Sequence, residues 1–380
     1  MGLTQAAFYL HVPFCRRKCP YCDFYSVPFA DTRKIPEKAF LAALKKEVEL
    51  HAEEVSSYQF VTFYVGGGTP SLLSAGFYEE LFDFLAKRLN FEPFEATIEA
   101  NPSSLNEEKL ISYRKIFNRI SIGAQSFKDK GLLALGRLHT VFQVKKAFLR
   151  ARAAGFENIS LDLIYGWPGQ QKEDLVEELD ILLSLGPEHV SCYELTLEPE
   201  TRMYEWYQKG KLNMPSEEEI VSFYWLIHDF LTQQGFEHYE ISNYARRDYE
   251  CRHNLFYWEA RPYLGLGPAA ASFLDSRRIK NVEDLNLYLE PLEKGVLPPH
   301  EEEILDAEKR FREAVILGLR KLKGINVAEY ERRFGFNVFS YYGESLSRLL
   351  DQGLLEYCQG YLRLSKRGIL LANVVARELV

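Results

Sequence analysis

Three cysteines near the start of the chain, Cys15, Cys19 and Cys22, are spaced so that one loop supplies three thiolate ligands. A structural zinc site closes with four ligands, normally taken in pairs from two separate loops. No fourth Cys or His follows nearby, and His11 on the preceding segment is expected to pack or to hydrogen bond to the loop. Three thiolates around four irons leave one iron open to a non-protein ligand. The spacing therefore favours an iron–sulfur cluster, with zinc as the alternative.

A glycine-rich run, Gly66-Gly67-Gly68-Thr69-Pro70, is the second candidate for ligand chemistry. Alone it could be an ordinary tight turn. Because glycine has no side chain, it also lets a ligand approach the backbone closely. The run ends the next apolar segment after the cysteine motif, and this position favours a ligand-binding loop.

Up to about residue 200, short apolar segments alternate with longer segments of helical period. These segments predict the elements that position the two motifs. This alternation is typical of repeated β/α units around a parallel sheet. Six strands are predicted, at 8–12, 60–65, 95–99, 119–122, 158–163 and 189–194, with helices such as 37–52, 76–89 and 172–185 between them. Six units predict an α/β fold with a partial (β/α)6 barrel, in which ligands bind where the strands end.

The chain is predicted to divide into a barrel core at 1–235, an extension at 236–298 and a C-terminal domain at 299–380. In the extension, 239–244 and 263–273 are expected to be extended segments beside the barrel mouth. In the last part, a charged amphipathic helix at 303–322 precedes a helix, a strand (354–357), a second strand (361–364) and a final helix. That order predicts a small α+β, winged-helix-like domain.

Composition and charge limit the partners. Forty-six Lys and Arg against 54 Asp and Glu give a formal charge of −8, which repels nucleic-acid phosphate. No run approaches the roughly 20 apolar residues that span a bilayer. The first residues also lack the basic and apolar segments of a secretion signal. We therefore expect a cytoplasmic protein that has no integral membrane segment and does not bind nucleic acid.

The segment from Cys15 to Cys22 is similar to the signature of the radical S-adenosylmethionine (SAM) proteins, in which three cysteines hold a [4Fe–4S] cluster and SAM chelates the open iron. Further segments extend the resemblance over nearly the whole chain: LHVPFC, TIEANP, RISIGAQSF, LGRLHT, LDLIYGWPGQ and SCYELTLEPET. Together they resemble the HemN/HemW family, the oxygen-independent coproporphyrinogen III oxidases and their haem-chaperone relatives. The resemblance implies that the cluster passes an electron to SAM and cleaves a C–S bond.

The resemblance also implies which residues contact SAM. Carried over by motif, they are Tyr9, Tyr21, Gly67, Gly68, Thr69, Glu99, Gln125, Arg137 and Asp162. Carboxylates can accept hydrogen bonds from ribose hydroxyls or an amino group, and Arg or Gln can satisfy a carboxylate. Each polar member has a structural alternative: Glu99 or Asp162 could cap a helix, and Arg137 could be a surface charge.

Two features separate the oxidase branch from the chaperone branch. Phe24 occupies the place of a further cysteine in the oxidases, and the cluster motif begins at residue 15, without their long N-terminal extension. The segment Cys251–Trp258 contains H-N-x-x-Y-W, which resembles the haem motif of HemW-type chaperones. This makes His253 the leading axial-ligand candidate and Cys251 the second, with Tyr257 and Trp258 against the porphyrin. The alternative is that His253 is a packed, hydrogen-bonded residue.

The predicted function is a haem chaperone that binds haem as cargo, a [4Fe–4S] cluster and SAM, and transfers haem to an apo-haemoprotein. The alternative is an oxygen-independent coproporphyrinogen III oxidase, and a weaker one is a non-catalytic SAM-binding regulator. We expect no coproporphyrinogen oxidase activity. The sequence leaves open whether SAM is cleaved, which haemoprotein accepts haem, and whether haem attaches covalently. It also leaves open whether the chain forms a homodimer or visits the membrane transiently.

Overall fold

The structure, a computed structural model, describes residues 2–380. Its first part contains the six predicted strands and the helices between them, and so confirms the partial (β/α)6 barrel. In chain order the elements are β1 (Thr4–Val12), β2 (Phe14–Cys15), β3 (Val27–Pro28), α1 (Glu37–His51), β4 (Tyr58–Gly67), α2 (Ala75–Arg88), β5 (Phe91–Ala100), α3 (Glu107–Arg114), β6 (Arg119–Gln125), α4 (Asp129–Ala134), α5 (Val141–Ala153), β7 (Asn158–Tyr165), α6 (Lys172–Leu185) and β8 (His189–Glu194). Strands β1, β4, β5, β6, β7 and β8 are neighbours in that order and run parallel.

Along each strand, side chains alternate between the core that faces the helices and the interior of the barrel. In β6 the side chains of Ile120 and Ile122 belong to the main hydrophobic core, whereas Arg119 and Ser121 line the interior. Successive side chains on a strand point to opposite faces, so one short sequence serves both surfaces. The helices supply the outer layer, and a capping box at Thr140 fixes the start of α5. The interior is therefore polar where ligand chemistry is expected.

The segment after β8 does not form a separate body, because its strands extend the main sheet at both edges. Its elements are α7 (Arg202–Gln208), α8 (Glu217–Gln233), β9 (Glu237–Glu240), β10 (Asn243–Ala245), α9 (Arg252–Trp258), β11 (Tyr263–Leu266), β12 (Ala271–Leu274), β13 (Arg277–Asn281), α10 (Leu285–Glu293) and β14 (His300–Ile304). β11 pairs with β1, and β10 pairs with β8. An open barrel leaves two unpaired edges, and these strands cover them.

The predicted helix at 303–322 starts too early. Residues 300–304 form β14, an exposed strand that pairs with β13 in the main sheet, and the helix begins only at Ala307. Arg277 and Arg278 of β13 face Glu302 and Glu303 of β14 at 3.3 and 3.4 Å. Opposite charges across a strand pair stabilise it, so the acidic residues before Ala307 form a strand and not the first turn of the helix. The start of the C-terminal domain therefore lies after β14 and not at 299.

The C-terminal domain is a small α+β unit with its own core. It consists of α11 (Ala307–Gly318), β15 (Ile325–Asn326), α12 (Val327–Phe334), α13 (Val338–Asp351), β16 (Leu355–Cys358), β17 (Tyr361–Leu364), α14 (Lys366–Leu370) and α15 (Ala372–Glu378). Phe311, Val315, Leu346 and Leu362 are among its buried core residues. The β16–β17 hairpin follows α13 as the sequence predicted. No helix in the described part of the chain is both long and apolar enough to cross a bilayer.

Candidate functional site

One cavity of about 1490 Å³ opens where the barrel strands end and extends to the C-terminal domain. All but one of the residues that the sequence indicated for the cluster and SAM line it. They are Cys15, Cys19, Tyr21, Cys22, Gly67, Gly68, Thr69, Glu99, Gln125, Arg137 and Asp162. These residues come from the loops and carboxyl ends of successive parallel strands, the position that this architecture uses for ligands. The fold therefore brings motifs that are far apart in sequence to one site.

The cysteine loop is held at both ends by backbone pairing. β2 and β3 run parallel, and the N–H of Phe29 donates to the carbonyl of Cys15 over 2.7 Å. In the middle of the loop, the N–H of Met203 donates to the carbonyl of Pro20 over 2.9 Å. Arg17 also donates a hydrogen bond to the carbonyl of Gly136. The loop is thus tied to three parts of the barrel, and its three thiols are half-buried at the cavity wall.

The donor set fits a multi-iron cluster better than a single ion. Within residues 2–380, no three Cys, His, Asp or Glu side chains converge on one metal position. The thiols have separate neighbours instead: Cys15 Sγ lies 3.4 Å from Thr69 Oγ1, and Cys19 Sγ accepts from Arg137 Nη1 over 3.3 Å. In a [4Fe–4S] cluster each thiolate binds a different iron, so its ligands need not meet at one point. Burial raises the pKa of Cys22 to about 11, so a cluster bound there must displace its proton.

The glycine-rich run passes too close to its neighbours to carry side chains. Gly67 has a φ of 101°, and a Cβ there would lie 2.5 Å from the His11 ring. A Cβ on Gly68 would lie 2.7 Å from the carbonyl oxygen of Phe14, and the N–H of Thr69 donates to that same oxygen over 2.8 Å. The glycines therefore let this loop lie directly against β1 and the start of the cysteine loop.

We predict that Gly67→Ala lowers the free energy of unfolding by about 2 kcal/mol, since it adds both a disfavoured φ and a clash with a buried ring. Gly76→Ala is the matched control, because a Cβ at Gly76 would meet nothing within 4 Å. Denaturant unfolding of the two variants beside the wild type measures the difference. Equal unfolding midpoints for all three proteins would contradict the packing role given to Gly67.

Two carboxylates face the cavity from β5 and β7: Glu99 is next to the last residue of β5, and Asp162 is inside β7. Glu99 Oε1 accepts from the Tyr64 hydroxyl over 2.8 Å. Burial raises the pKa of Glu99 to about 7, against the opposing effect of the Tyr64 hydrogen bond. Asp162 accepts from Ser121 Oγ over 3.0 Å, and burial raises its pKa as well. Neither carboxylate caps a helix, because the helices that follow these strands are capped by other residues.

Arg137 and Gln125 also face the cavity and not bulk solvent. Arg137 Nη1 donates to Cys19 Sγ and, over 3.4 Å, to the Tyr21 hydroxyl. Gln125 ends β6 at a break in register, with a φ of 66° that is unusual for a residue with a side chain. Its side chain folds back over Gly123, where a Cβ would lie 2.7 Å from its Nε2. Strained backbone of this kind often marks a ligand site.

Tyr9 is the one predicted SAM contact that does not line the cavity. Its hydroxyl bonds to His11 Nδ1 over 3.2 Å, and its ring stacks on Tyr64 at 6.3 Å between ring centres. His11 in turn bonds through Nε2 to the carbonyl of Tyr25 over 3.0 Å, the loop hydrogen bond expected from sequence. Tyr9 therefore lies one layer beneath the cavity, where it supports the aromatic side chain that holds Glu99.

The segment predicted as the haem motif closes the amino-terminal end of the barrel. His253 is 1% exposed, and both of its ring nitrogens are used: Nδ1 lies 2.9 Å from Thr62 Oγ1 and Nε2 lies 2.8 Å from the Tyr257 hydroxyl. Its ring stacks on Tyr64 with centres 5.0 Å apart. Burial lowers the pKa of His253 to about 3, so the ring is neutral. In this structure His253 has no free nitrogen for haem iron, and the packed alternative describes it.

The other haem candidates do not gather around His253 in an open site. Cys251 is 1% exposed, with Sγ 3.6 Å from Glu95 Oε1. Tyr257 packs edge-on against Tyr263. Trp258 points the other way, toward the C-terminal domain, where the Arg320 guanidinium lies 4.4 Å from its ring centre. In this structure the four candidates therefore do not line one open site, and their role toward haem stays a prediction.

Sequence reasoning missed the polar residues that hold α9 inside the barrel. Glu95 of β5 accepts from the N–H groups of Arg252 and His253 over 2.8 and 2.9 Å, which satisfies the first turn of α9. Nearby, Arg119 is only 2% exposed, and its Nε has no hydrogen-bond partner among the described residues. A partial signal was present, because Arg119 is a charged residue at the start of the strand RISIGAQ; Glu95 gave none, since β5 contains two further glutamates.

Comparisons with known proteins agree with this geometry. The model of the radical SAM superfamily matches residues 9–182, and that of the HemN C-terminal domain matches residues 305–371. A relative named heme chaperone HemW, from Lactococcus lactis subsp. lactis (strain IL1403), is 36% identical over 371 residues, which cover 97% of this chain and 95% of the relative. Its namesake from Bacillus subtilis (strain 168) is 34% identical over 370 residues and covers 97% of each chain.

A solved structure shows the same fold over the full length. Coproporphyrinogen III oxidase (HemN) from Escherichia coli, described as a radical SAM enzyme, superposes with a TM-score of 0.85. The two are 22% identical, and the match covers 100% of this chain and 90% of that one. The identity to the HemW proteins over nearly the whole chain is what decides the family. The chain belongs to the radical SAM superfamily and, within it, to the family of the heme chaperone HemW.

Proposed function

We propose that this protein is a haem chaperone, which binds haem together with a [4Fe–4S] cluster and SAM and delivers the haem to an apo-haemoprotein. The observation that carries the proposal is full-length identity to proteins named heme chaperone HemW, joined to a cavity that contains the radical SAM motifs. Ligand pockets commonly measure about 300–1,000 Å³, and this cavity is larger, at about 1490 Å³. Its size supports binding of SAM and a second large ligand together.

Membership of the radical SAM superfamily implies the cluster and SAM. In the proposal, Cys15, Cys19 and Cys22 hold the cluster, which when bound can supply an electron to SAM. The protein's own residues bind SAM and orient it. Arg137 donates to the Cys19 sulfur over 3.3 Å, which fixes the position of this side chain. Glu99 on β5 and Asp162 on β7 both line the cavity and offer acceptors to hydroxyl or amino groups of SAM.

The proposed role of Glu99 predicts how SAM affinity depends on pH. The Glu99 carboxyl has a pKa of about 7, raised above its ordinary value, so it loses its charge as the pH falls below 7. An ionised carboxylate accepts stronger hydrogen bonds than a neutral acid. SAM should therefore bind more weakly at pH 6 than at pH 8, by about tenfold if one charge-assisted hydrogen bond is lost.

Glu99→Gln serves as the reference for this pH experiment. The variant should bind SAM more weakly at pH 8 and lack the component that titrates near 7, whereas titration of the SAM amino group affects both proteins equally. Equilibrium dialysis of SAM at several pH values under anaerobic conditions gives the two profiles. Parallel profiles for the variant and the wild type would remove Glu99 from the SAM site.

The proposed function is tested by haem binding and by turnover of coproporphyrinogen III in the same reconstituted protein. We expect a stoichiometric haem complex in an absorption titration, and no change in the mass of coproporphyrinogen with SAM and reductant present. An oxidase from the related branch provides the positive control for turnover. Loss of carboxyl groups from coproporphyrinogen would make the protein an oxidase, and a failure to bind haem would contradict the chaperone proposal.

A further inference from the structure

The two ends of α9 are held by different parts of the molecule. Its first turn is bound by the barrel, where Glu95 accepts two of its N–H groups. The residues after its last turn are bound by the C-terminal domain: Arg333 of α12 donates through Nη1 to the carbonyl of Glu259 over 2.6 Å and through Nη2 to the carbonyl of Ala260 over 2.5 Å. Carbonyls at the end of a helix lack partners within it, and one forked guanidinium satisfies two carbonyls here. The position of α9 therefore depends on both parts of the chain.

The turn after α9 is strained and lies against the C-terminal domain. Ala260 has a φ of 46°, in the left-handed region that a residue with a side chain rarely adopts, and it packs against the hydrophobic core of that domain. Lys321 Nζ lies 3.4 Å from Glu259 Oε1. The Arg320 guanidinium lies over the Trp258 ring. A strained backbone persists only where its surroundings fix it, and here the C-terminal domain supplies those surroundings.

In this position α9 keeps the side chain of His253 away from any ligand. The ring is 1% exposed, and Thr62 and Tyr257 occupy its two nitrogens. One face of the ring also stacks on Tyr64. An iron bound by either nitrogen would have to replace one of these hydrogen bonds. The helix must therefore move before the segment that resembles a haem motif can take haem.

Of the two attachments of α9, the one to the C-terminal domain is the easier to release. The Glu95 carboxylate is 6% exposed, so breaking its hydrogen bonds would leave buried donors unpaired, which is costly. Arg333 is exposed, so water can solvate its guanidinium once it leaves the two carbonyls. Opening at the carboxyl-terminal end of α9 would also take the Tyr257 hydroxyl away from Nε2 of His253, because Tyr257 lies in the last turn of the helix.

We propose that the C-terminal domain holds α9 closed through Arg333, and that release of this contact lets α9 open to bind haem. This inference rests on the proposed function. Arg333 is a positioning residue, since it contacts the backbone after α9 and acts on haem only through the helix. A movement of the C-terminal domain away from the barrel would break this contact together with those of Arg320 and Lys321. A ligand that binds only the open form binds more weakly in proportion to the closed fraction, so the domain would regulate haem uptake.

Arg333→Gln tests whether this residue holds α9, and Arg332→Gln, which changes an exposed arginine on the same helix, is the matched control. Amide hydrogen exchange of cluster-loaded protein without haem is measured for residues 255–259 and, as an internal reference, for β6. We expect residues 255–259 to exchange at least about tenfold faster in Arg333→Gln than in the control, since two charge-assisted hydrogen bonds are lost. Exchange of β6 should be unchanged. Equal exchange of residues 255–259 in the two variants would overturn the inference.

Haem binding tests what the opening of α9 does. Association of haem with cluster-loaded protein is followed by stopped-flow absorption under anaerobic conditions. We expect it to be about tenfold faster in Arg333→Gln than in Arg332→Gln, because more molecules are open. A loss of stability alone would not speed haem binding, and iron content and SAM affinity should equal those of the control. Lys321→Gln, which removes only the ion pair with Glu259, should give a smaller gain in the same direction.

The two experiments separate this inference from the proposed function. If residues 255–259 exchange faster in Arg333→Gln but haem associates no faster, the opening of α9 has no part in haem binding. The inference is then wrong and the chaperone function stands. If the wild type binds no haem at all, the proposed function fails and the inference fails with it.

Discussion

Cys19→Ala should reduce the iron content of anaerobically reconstituted protein from about four atoms per chain to below one. Cys19 is the middle one of the three proposed cluster ligands, and its sulfur accepts a hydrogen bond from Arg137. Without this thiol, one iron loses its only protein ligand. Cys15 and Cys22 then form an incomplete set of ligands for the cluster. Iron and sulfide analysis, together with the visible absorption of the cluster, measures the effect.

Cys358→Ala is the control for this experiment. Cys358 is an exposed cysteine on β16 that does not line the cavity, so its loss should leave iron content unchanged. The thermal melting curve of unreconstituted Cys19→Ala should match that of the wild type, because the residue lies in a loop and is only half-buried. A Cys19→Ala protein that still holds about four irons would show that the cluster ligands are elsewhere.

Glu95→Ala should be the most destabilising single substitution proposed for this chain, with a loss of about 3 kcal/mol or more in the free energy of unfolding. The Glu95 carboxylate is 6% exposed and accepts the N–H groups of Arg252 and His253. Its negative charge also balances the buried guanidinium of Arg119. Removing it leaves the N–H groups of Arg252 and His253 unpaired and takes one carboxylate away from the buried Arg119, and such losses are among the costliest changes to a core.

Glu92→Ala, on the same strand but exposed, isolates the effect of burial in this second experiment. Its denaturant midpoint should be within experimental error of the wild-type value. Glu95→Gln, which keeps one acceptor oxygen but no charge, should be intermediate. If Glu95→Ala unfolds at the same midpoint as Glu92→Ala, then α9 is not held in the barrel by this carboxylate.

The barrel and the cluster loop could be predicted because their signals are local. Each strand is a short apolar segment bounded by turn residues, and the three cysteines are fixed by spacing alone. The glycine run could also be recognised from the sequence. The structure explains why glycine is needed there: Gly67 packs on His11 with a positive φ. The strand at 300–304 was missed because its pairing with β13 depends on charges about 25 residues away, which periodicity does not record.

The haem candidates show what a sequence motif does not reveal about the surroundings of a residue. A histidine followed by aromatic residues has the right chemistry for an axial ligand, but the same chemistry suits a buried hydrogen-bonded cluster. Thr62, which occupies one nitrogen of His253, lies 191 residues away in sequence. Tyr9 lies beneath the side chains that line the cavity, so its contact with SAM stays a prediction.

The measurement that tests the central claim most directly offers the protein two tetrapyrroles at once. Cluster-loaded protein is incubated anaerobically with SAM, reductant and equal amounts of haem and coproporphyrinogen III, and the bound and free tetrapyrroles are separated and identified by mass. The account predicts that haem is retained by the protein and that coproporphyrinogen is recovered unchanged. Free haem together with coproporphyrinogen that has lost carboxyl groups would contradict it.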